Sequence, residues 1–207
     1  MNIKPYCRGL AALIAVSAMP ATYAAAPQYD FAEGFYQIFT QPSGSLYSSD
    51  RAVGVDGSLP LTANLIGTAE FDHESADFNG VPYRATSSGN YYEFGLGYRV
   101  PLSDAVDLVP TLAYAHDSGT ASGGLQSLLN PGSGYDAGVL LRAMVAPHFE
   151  LDGSFYHSTA STSSNSAGIT AFYDFGSHFA IGFGYESKTA GGTDTGAWTA
   201  RLRYYFD

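Results

Sequence analysis

Residues Tyr91–Val100 read YYEFGLGYRV, and the fold turns on which way their alternation points. Tyr92, Phe94, Leu96, Tyr98 and Val100 share one face, while Glu93, Gly95, Gly97 and Arg99 share the other. Alternation with a period of two over ten residues is the pattern of a strand with two unlike faces. The division recurs along the chain. Ala137, Val139, Leu141, Ala143 and Val145 oppose Asp136, Gly138, Arg142 and Met144. Phe179, Ile181, Phe183 and Tyr185 oppose Gly182, Gly184 and Glu186, and Trp198, Ala200, Leu202, Tyr204 and Phe206 oppose Arg201 and Arg203.

Working outward, the spacing predicts ten strands: Phe31–Thr40, Ala52–Leu59, Asn64–His73, Tyr91–Val100, Val106–His116, Tyr135–Ala146, Phe149–His157, Ala167–Phe175, Phe179–Ser187 and Trp198–Phe206. Four connectors are tight: Pro60–Ala63, Pro101–Ala105, Pro147–His148 and Gly176–His178. They alternate with longer polar ones at Gln41–Arg51, Glu74–Asn90, Asp117–Gly134, Ser158–Ser166 and Lys188–Ala197. Long and short connectors in alternation describe an antiparallel up-and-down meander with its long loops at one end. An even strand number lets the first strand pair with the last and removes both sheet edges. The expectation is an all-β closed barrel of ten strands, with eight as the alternative count.

Charge decides which face points inward. Glu70/Asp72, Glu93/Arg99, Asp136/Arg142, Glu150/Asp152 and Arg201/Arg203 each fall on one parity of their strand, opposite the aliphatic and aromatic residues. The charged face also carries Gly95, Gly97, Gly138, Gly168, Gly182 and Gly184, which suits a crowded interior better than a solvated exterior. Tyr36, Tyr92, Tyr98, Tyr114, Tyr185, Tyr204 and Trp198 lie on the apolar face, several near strand ends where interfacial aromatic girdles sit. The apolar face therefore points out, toward lipid.

Composition agrees. Of 207 residues only 14% are charged and 14% are aromatic, where an ordinary soluble domain has about 25% charged residues. Lys4 and Arg8, the apolar run Leu10–Met19 and the small residues of Pro20–Ala26 form a secretory signal, expected to be cut between Ala24 and Ala25. The domain expectation is thus a signal peptide over 1–24 and a barrel over 25–207. Removing the signal takes away the single cysteine, Cys7, and with it disulfide, thiol and Cys-metal chemistry. Without Lys4 and Arg8, seven basic residues face 19 acidic ones, a formal charge of −12 that argues against nucleic acid as a partner.

The segments GLGYRVPLSDAVDLVPTLAY (95–114) and AWTARLRYYF (197–206) resemble the small bacterial outer-membrane meander barrels of the OmpA-transmembrane-domain and OmpX type. Within that group the chain is similar to compact exported barrels linked to biofilm and surface behaviour. The resemblance implies integral residence in the bacterial outer membrane after export through the inner membrane. It also implies contact with membrane lipid, lipopolysaccharide and the barrel-assembly machinery. Such barrels often end on an aromatic residue that this machinery reads, whereas here Asp207 follows Phe206.

On this parity eleven acids (Glu33, Asp56, Glu70, Asp72, Glu93, Asp107, Asp136, Glu150, Asp152, Asp174, Glu186) and Arg99, Arg142, Arg201 and Arg203 point into the lumen. Closing the ring lays Glu33 beside Arg201 or Arg203. We expect a lumen charge network built on Glu33, Glu70, Glu93, Arg99, Arg142, Arg201 and Arg203 that plugs a narrow bore. The acid excess makes a narrow cation-preferring pore the alternative. His73, His116 and His157 end three upward strands near Asp72, Glu74 and Asp117, the residue types of a Zn²⁺ site, but interfacial placement explains them equally. The triplets His73-Glu74-Ser75 and His116-Asp117-Ser118 offer base and hydroxyl on one strand face, as a lipid hydrolase at the extracellular rim would need. Neither has an acid placed to partner its histidine. The expected protein is non-enzymatic, without cofactor or bound metal, and serves the cell envelope structurally or through its loops.

Overall fold

The computed structural model describes residues 26–40, 47–78, 85–122 and 131–206. The signal segment, Ala24, Ala25, the Leu125–Leu129 stretch and Asp207 lie outside the described residues. The strands are β1 (Phe31–Thr40), β2 (Tyr47–Pro60), β3 (Leu65–Phe78), β4 (Ala85–Tyr98), β5 (Val100–Ser103), β6 (Val106–Ala121), β7 (Gly132–Ala146), β8 (Phe149–Ser158), β9 (Ser164–Asp174), β10 (Phe179–Ala190) and β11 (Thr193–Tyr205). β4 and β5 are two parts of one stave, interrupted at Arg99, whose N–H donates to the Asn64 carbonyl at 2.7 Å. Each stave pairs antiparallel with its neighbours in sequence, and β1 pairs β11 from Phe31↔Tyr205 to Thr40↔Gly196. The ring closes with ten staves. Eight is excluded.

The apolar parity is the outer one. Phe94 is 63% exposed and Ile181 is 53% exposed, whereas Arg142 on the charged parity is 1% exposed. A soluble protein with this many uncovered aliphatic and aromatic side chains would associate; in hydrocarbon the same surface is the favourable one. Leu141 shares the outer parity and packs there with Val106, Ala143, Leu108 and Val145. Aromatic residues edge the apolar band at both ends. Phe71, Tyr92, Tyr114, Tyr135 and Trp198 stand toward the long loops, and Tyr173, Phe175, Phe179, Tyr204 and Phe206 toward the tight turns. Several stack on their neighbours, as Phe183 and Trp198 do at 5.3 Å between centroids.

The strands outrun the sequence expectation at the loop end. β3 continues to Phe78 rather than stopping at His73, β4 begins at Ala85 rather than Tyr91, and β6 reaches Ala121 rather than His116. The expected long connector Lys188–Ala197 is corrected to a two-residue turn. Ala190 pairs with Thr193 across Gly191 (φ 56°) and Gly192 (φ 84°), the left-handed pair that the tightest hairpins require. The cause is physical. Beyond the apolar band both strand faces meet water, so the hydrophobic alternation that marks a strand disappears while the hydrogen-bonded ladder goes on.

Placing a guanidinium among the outward aliphatics should be costly. Ile181→Arg, at the middle of the outer row of β10, is expected to destabilise the barrel by about 2–4 kcal/mol. Urea unfolding in lipid vesicles measures this, and Arg introduced at Thr189, beyond the band, should cost far less.

Candidate functional site

The inward parity at the turn end is filled by a connected ion-pair network. Closure sets Glu33 opposite Arg203, and β2 sets Asp56 opposite Glu33. Arg201 contacts one oxygen of Glu33 and, at 2.8 Å, Asp56. Arg203 Nε donates to the other Glu33 oxygen at 2.7 Å, and its Nη1 reaches Glu150 at 2.7 Å. Arg142 Nη2 donates to the same Glu150 oxygen at 2.5 Å. Asp152 lies 3.5 Å from both Arg142 and Arg203. Arg99 pairs separately with Asp107 at 2.6 Å. Arg142, Glu150 and Asp107 are almost completely buried, so each charge depends on its partners rather than on water.

Aromatic rings on the charged parity complete the filling. Arg203 lies 3.7 Å from the Phe172 ring centroid and 4.1 Å from that of Phe31, while Arg201 lies 5.1 Å from Phe35. Gly182 makes room for one of these rings: a Cβ there would sit 2.5 Å from Phe172 Cε1. Face-on guanidinium–ring contacts are electrostatically favourable and pack the planar cation without adding another charge.

A short strap before β1 covers this network. Pro27 and Tyr29 are buried although no strand contains them. The Tyr29 hydroxyl donates to Asp107 at 3.1 Å, and its ring lies 4.6 Å from the Arg142 guanidinium and 5.4 Å from that of Arg99. Arg142 Nη1 donates to the Gln28 carbonyl at 2.6 Å, Ser58 Oγ donates to the Tyr29 carbonyl, and the Phe206 N–H donates to the Asp30 carbonyl at 2.8 Å. Tyr29 also packs on Ile66 and Val109 inside the barrel, with Leu140 against them. The sequence reading passes over this strap because four residues show no periodicity. The available signal was the set of aromatics on the charged parity: Phe31 and Phe35 flanking Glu33, and Tyr205 beside Arg203.

Glu70 and Glu93 are not part of the ion-paired chain. They face each other across β3 and β4, next to Asp56 on β2. The Tyr91 hydroxyl lies 2.8 Å from Glu93 and 2.7 Å from Asp136, and its single hydrogen satisfies one of them at a time. Lys188 shares the inward parity of β10 with Glu186, two residues before it. Among the described residues the lumen arginines are thus confined to the turn end, where each is paired with acids, while Glu70, Glu93 and Asp136 stand toward the loop end without an arginine beside them in an ion pair.

The three histidines stand on the outer parity and do not converge. His73 Nδ1 meets Asn90 Oδ1, His116 Nδ1 meets Ser133 Oγ, and His157 Nδ1 meets Asn165 Oδ1, each at 2.9 Å and each directly across a strand pair. No group of three or more metal-ligating side chains is arranged around a common point among the described residues. Ser75 Oγ accepts from Arg51 Nε at 3.3 Å, and Ser118 Oγ donates to the Asn90 carbonyl, so each serine's described bond goes elsewhere than to its triplet histidine. The His116–Ser133 contact repeats the two His–Asn pairs and has the same cross-strand origin.

The fold and its filled lumen define a β-barrel of the bacterial outer-membrane type. No family model matches the chain, and no curated protein sequence matches it. Among solved structures, the transport unit of the autotransporter AIDA-I from Escherichia coli superposes with a TM-score of 0.55, at 10% identity over 100% of both chains. The KdgM porin in complex with disordered oligogalacturonate gives 0.47, at 8% identity over 84% of this chain and 99% of that one. Ail of Yersinia pestis, in complex with a heparin analogue, gives 0.43 at 13% identity over 86% and 97%. At these identities the likeness is one of fold.

The network predicts a graded response to losing an arginine. Arg203→Met takes one of two arginine partners from each of Glu33 and Glu150, both buried, and is expected to cost about 3–5 kcal/mol. Arg99→Met should cost less, because it breaks a single ion pair whose arginine stands partly in solvent and leaves the buried Asp107 its bond from the Tyr29 hydroxyl. Equilibrium urea unfolding of the refolded variants distinguishes the two.

Proposed function

We propose that the chain is an integral outer-membrane protein whose closed lumen makes it a structural or surface-interacting element of the envelope rather than a channel or an enzyme. In this reading the signal is cleaved between Ala24 and Ala25 and the turn end faces the periplasm. The loop end, with contact to lipopolysaccharide around it, faces outward and serves envelope integrity, adhesion or biofilm behaviour. The up-and-down meander with tight turns at one end supports kinship with the OmpA-transmembrane-domain and OmpX type. Delivery would use the barrel-assembly machinery. One observation carries the closed-lumen reading: the chain Asp56–Arg201–Glu33–Arg203–Glu150–Arg142 crosses the turn end, and the Tyr29 strap lies over it.

A second reading has its own support. Glu70, Glu93 and Asp136 stand together on the loop side of the plug with one tyrosine hydroxyl between two of them. Were the strap to withdraw, this acidic stretch would favour cations in a narrow conduit.

Two measurements test these readings. The barrel should migrate as a compact band on a gel before boiling and shift afterwards; an unshifted, water-soluble protein would count against membrane residence. In planar bilayers the intact protein should show no steady conductance. Cation-selective steps enlarged in Tyr29→Ala would favour the conduit over the closed barrel.

A further inference from the structure

Above the apolar band, the outer wall of β2, β3, β4 and β6 changes chemistry row by row. Val55, Phe71, Tyr92 and His116 form one cross-strand row. The next row toward the loops is Val53, His73, Asn90 and Ser118, and the one after it is Arg51, Ser75, Ser88 and Thr120. The strands of this wall rise well past the band, and between them lies a concavity of about 400 Å³. Arg51, Ser75, Ser88 and Thr120 line it, with Asp77 and Ser122 toward the loops. These and Thr86 lie on the outer parity, and only Ala76, Ser87 and Ala121 of the lining lie on the inner one, so the concavity faces away from the lumen.

Two features point to an occupant. Arg51 differs from the lumen arginines: its side chain is exposed, and its described partner is the neutral Ser75 hydroxyl rather than a carboxylate. Thr86 and Ser122 tie β4 to β6 at the upper edge, with Thr86 N donating to Ser122 Oγ at 3.1 Å and Ser122 N donating to the Thr86 carbonyl at 2.9 Å. These bonds carry the β4–β6 pairing one step past Ser87↔Ala121. A guanidinium over a row of hydroxyls suits a phosphorylated sugar, with the charge-assisted bond on phosphate and the hydroxyls on sugar oxygens. One row, Val53, His73, Asn90 and Ser118, separates the concavity from Phe71 and Tyr92 of the lipid-facing band. A ligand matching the whole wall has acyl chains below and a phosphorylated sugar above.

We propose that this wall is a binding site for the phosphorylated sugar headgroup of an outer-leaflet glycolipid, with Arg51 on a phosphate, Ser75, Ser88 and Thr120 on the sugar, and His73 at the acyl boundary. The site rests on the outer-membrane residence proposed above and adds to it a specific lipid partner.

Native mass spectrometry of the refolded barrel tests it, using an acylated, bisphosphorylated glucosamine disaccharide, its dephosphorylated form and glucosamine phosphate without acyl chains as probes. The intact protein should retain the phosphorylated lipid at least fivefold better than either of the others. Arg51→Gln should reduce that retention to the level of the dephosphorylated lipid, and Ser88→Val, which fills the concavity, should reduce it as well. Thr189→Ala on the opposite wall should bind as the unaltered protein does. Equal retention of the two lipids, or full retention in both wall variants, would overturn the site. Equal retention of the soluble sugar phosphate would overturn the lipid as occupant. Each protein is first checked for its heat-dependent gel shift, so loss of binding with the shift intact reflects the site, whereas a missing shift reflects the barrel reading itself.

Discussion

Closure of β1 on β11 is the constraint from which the rest follows. A sheet whose outer face is aliphatic and aromatic can meet hydrocarbon only if no edge is left with unpaired N–H and C=O groups. The register that closes the ring, Glu33↔Arg203 and Phe35↔Arg201, also dictates where charge is neutralised. Glu33 comes from the first strand and both of its arginines from the last, more than 160 residues away. The contact that seals the barrel and the contact that anchors the plug are therefore one contact.

From that anchor the network spreads by shared oxygens. A single Glu150 oxygen serves both Arg142 and Arg203, so the two cations are held close together by an acid between them. Such an arrangement is costly to desolvate and costly to break, because each missing partner leaves a charge without solvent. The surrounding rings of Phe31, Phe172 and Tyr29 exclude water but present their electron-rich faces to guanidinium. The strap then closes the turn end with main-chain carbonyls of Gln28 and Tyr29 acting as acceptors. That explains how four residues without secondary structure are held in place.

Much of this was legible in the sequence, and the limits are physical. Tyr91–Val100 revealed strand and parity, because between two media the alternation is enforced at every residue, and the charged pairs of five strands with the glycines beside them revealed the lipid side. The ten staves and a partner for Glu33 in Arg201 or Arg203 followed from counting strands and closing them, and the structure uses both arginines. Strand ends were misjudged wherever both faces are wet, as at Asp117–Ala121 and Lys188–Ala190, since the solvent no longer distinguishes the faces there. The strap was missed because Pro27–Asp30 is held by tertiary contacts alone. The outward orientation of His73, His116 and His157 was readable from parity. Their Asn and Ser partners were not, because cross-strand register depends on connector lengths that composition does not reveal.

The two faces of the same staves divide the work. Inward, a cation entering past Lys188 would pass Asp72, Glu186, Glu93 and Asp136 and then meet a turn end whose arginines are already paired with Glu33, Asp56, Glu150 and Asp152. That end blocks a cation by filling the bore with bonded side chains rather than by repelling charge. Outward, the sequence of rows is the reverse of a soluble protein's layering: apolar at the middle, aromatic at the margin, then imidazole, hydroxyl and guanidinium as water is approached. A barrel needs only the first two rows to sit in a bilayer. The third and fourth, built on strands that extend beyond the hydrocarbon at the expense of ordering more backbone, give the wall a shape and a charge that anchoring alone does not require. Selective recognition of what borders the membrane is the use to which that extra height is suited.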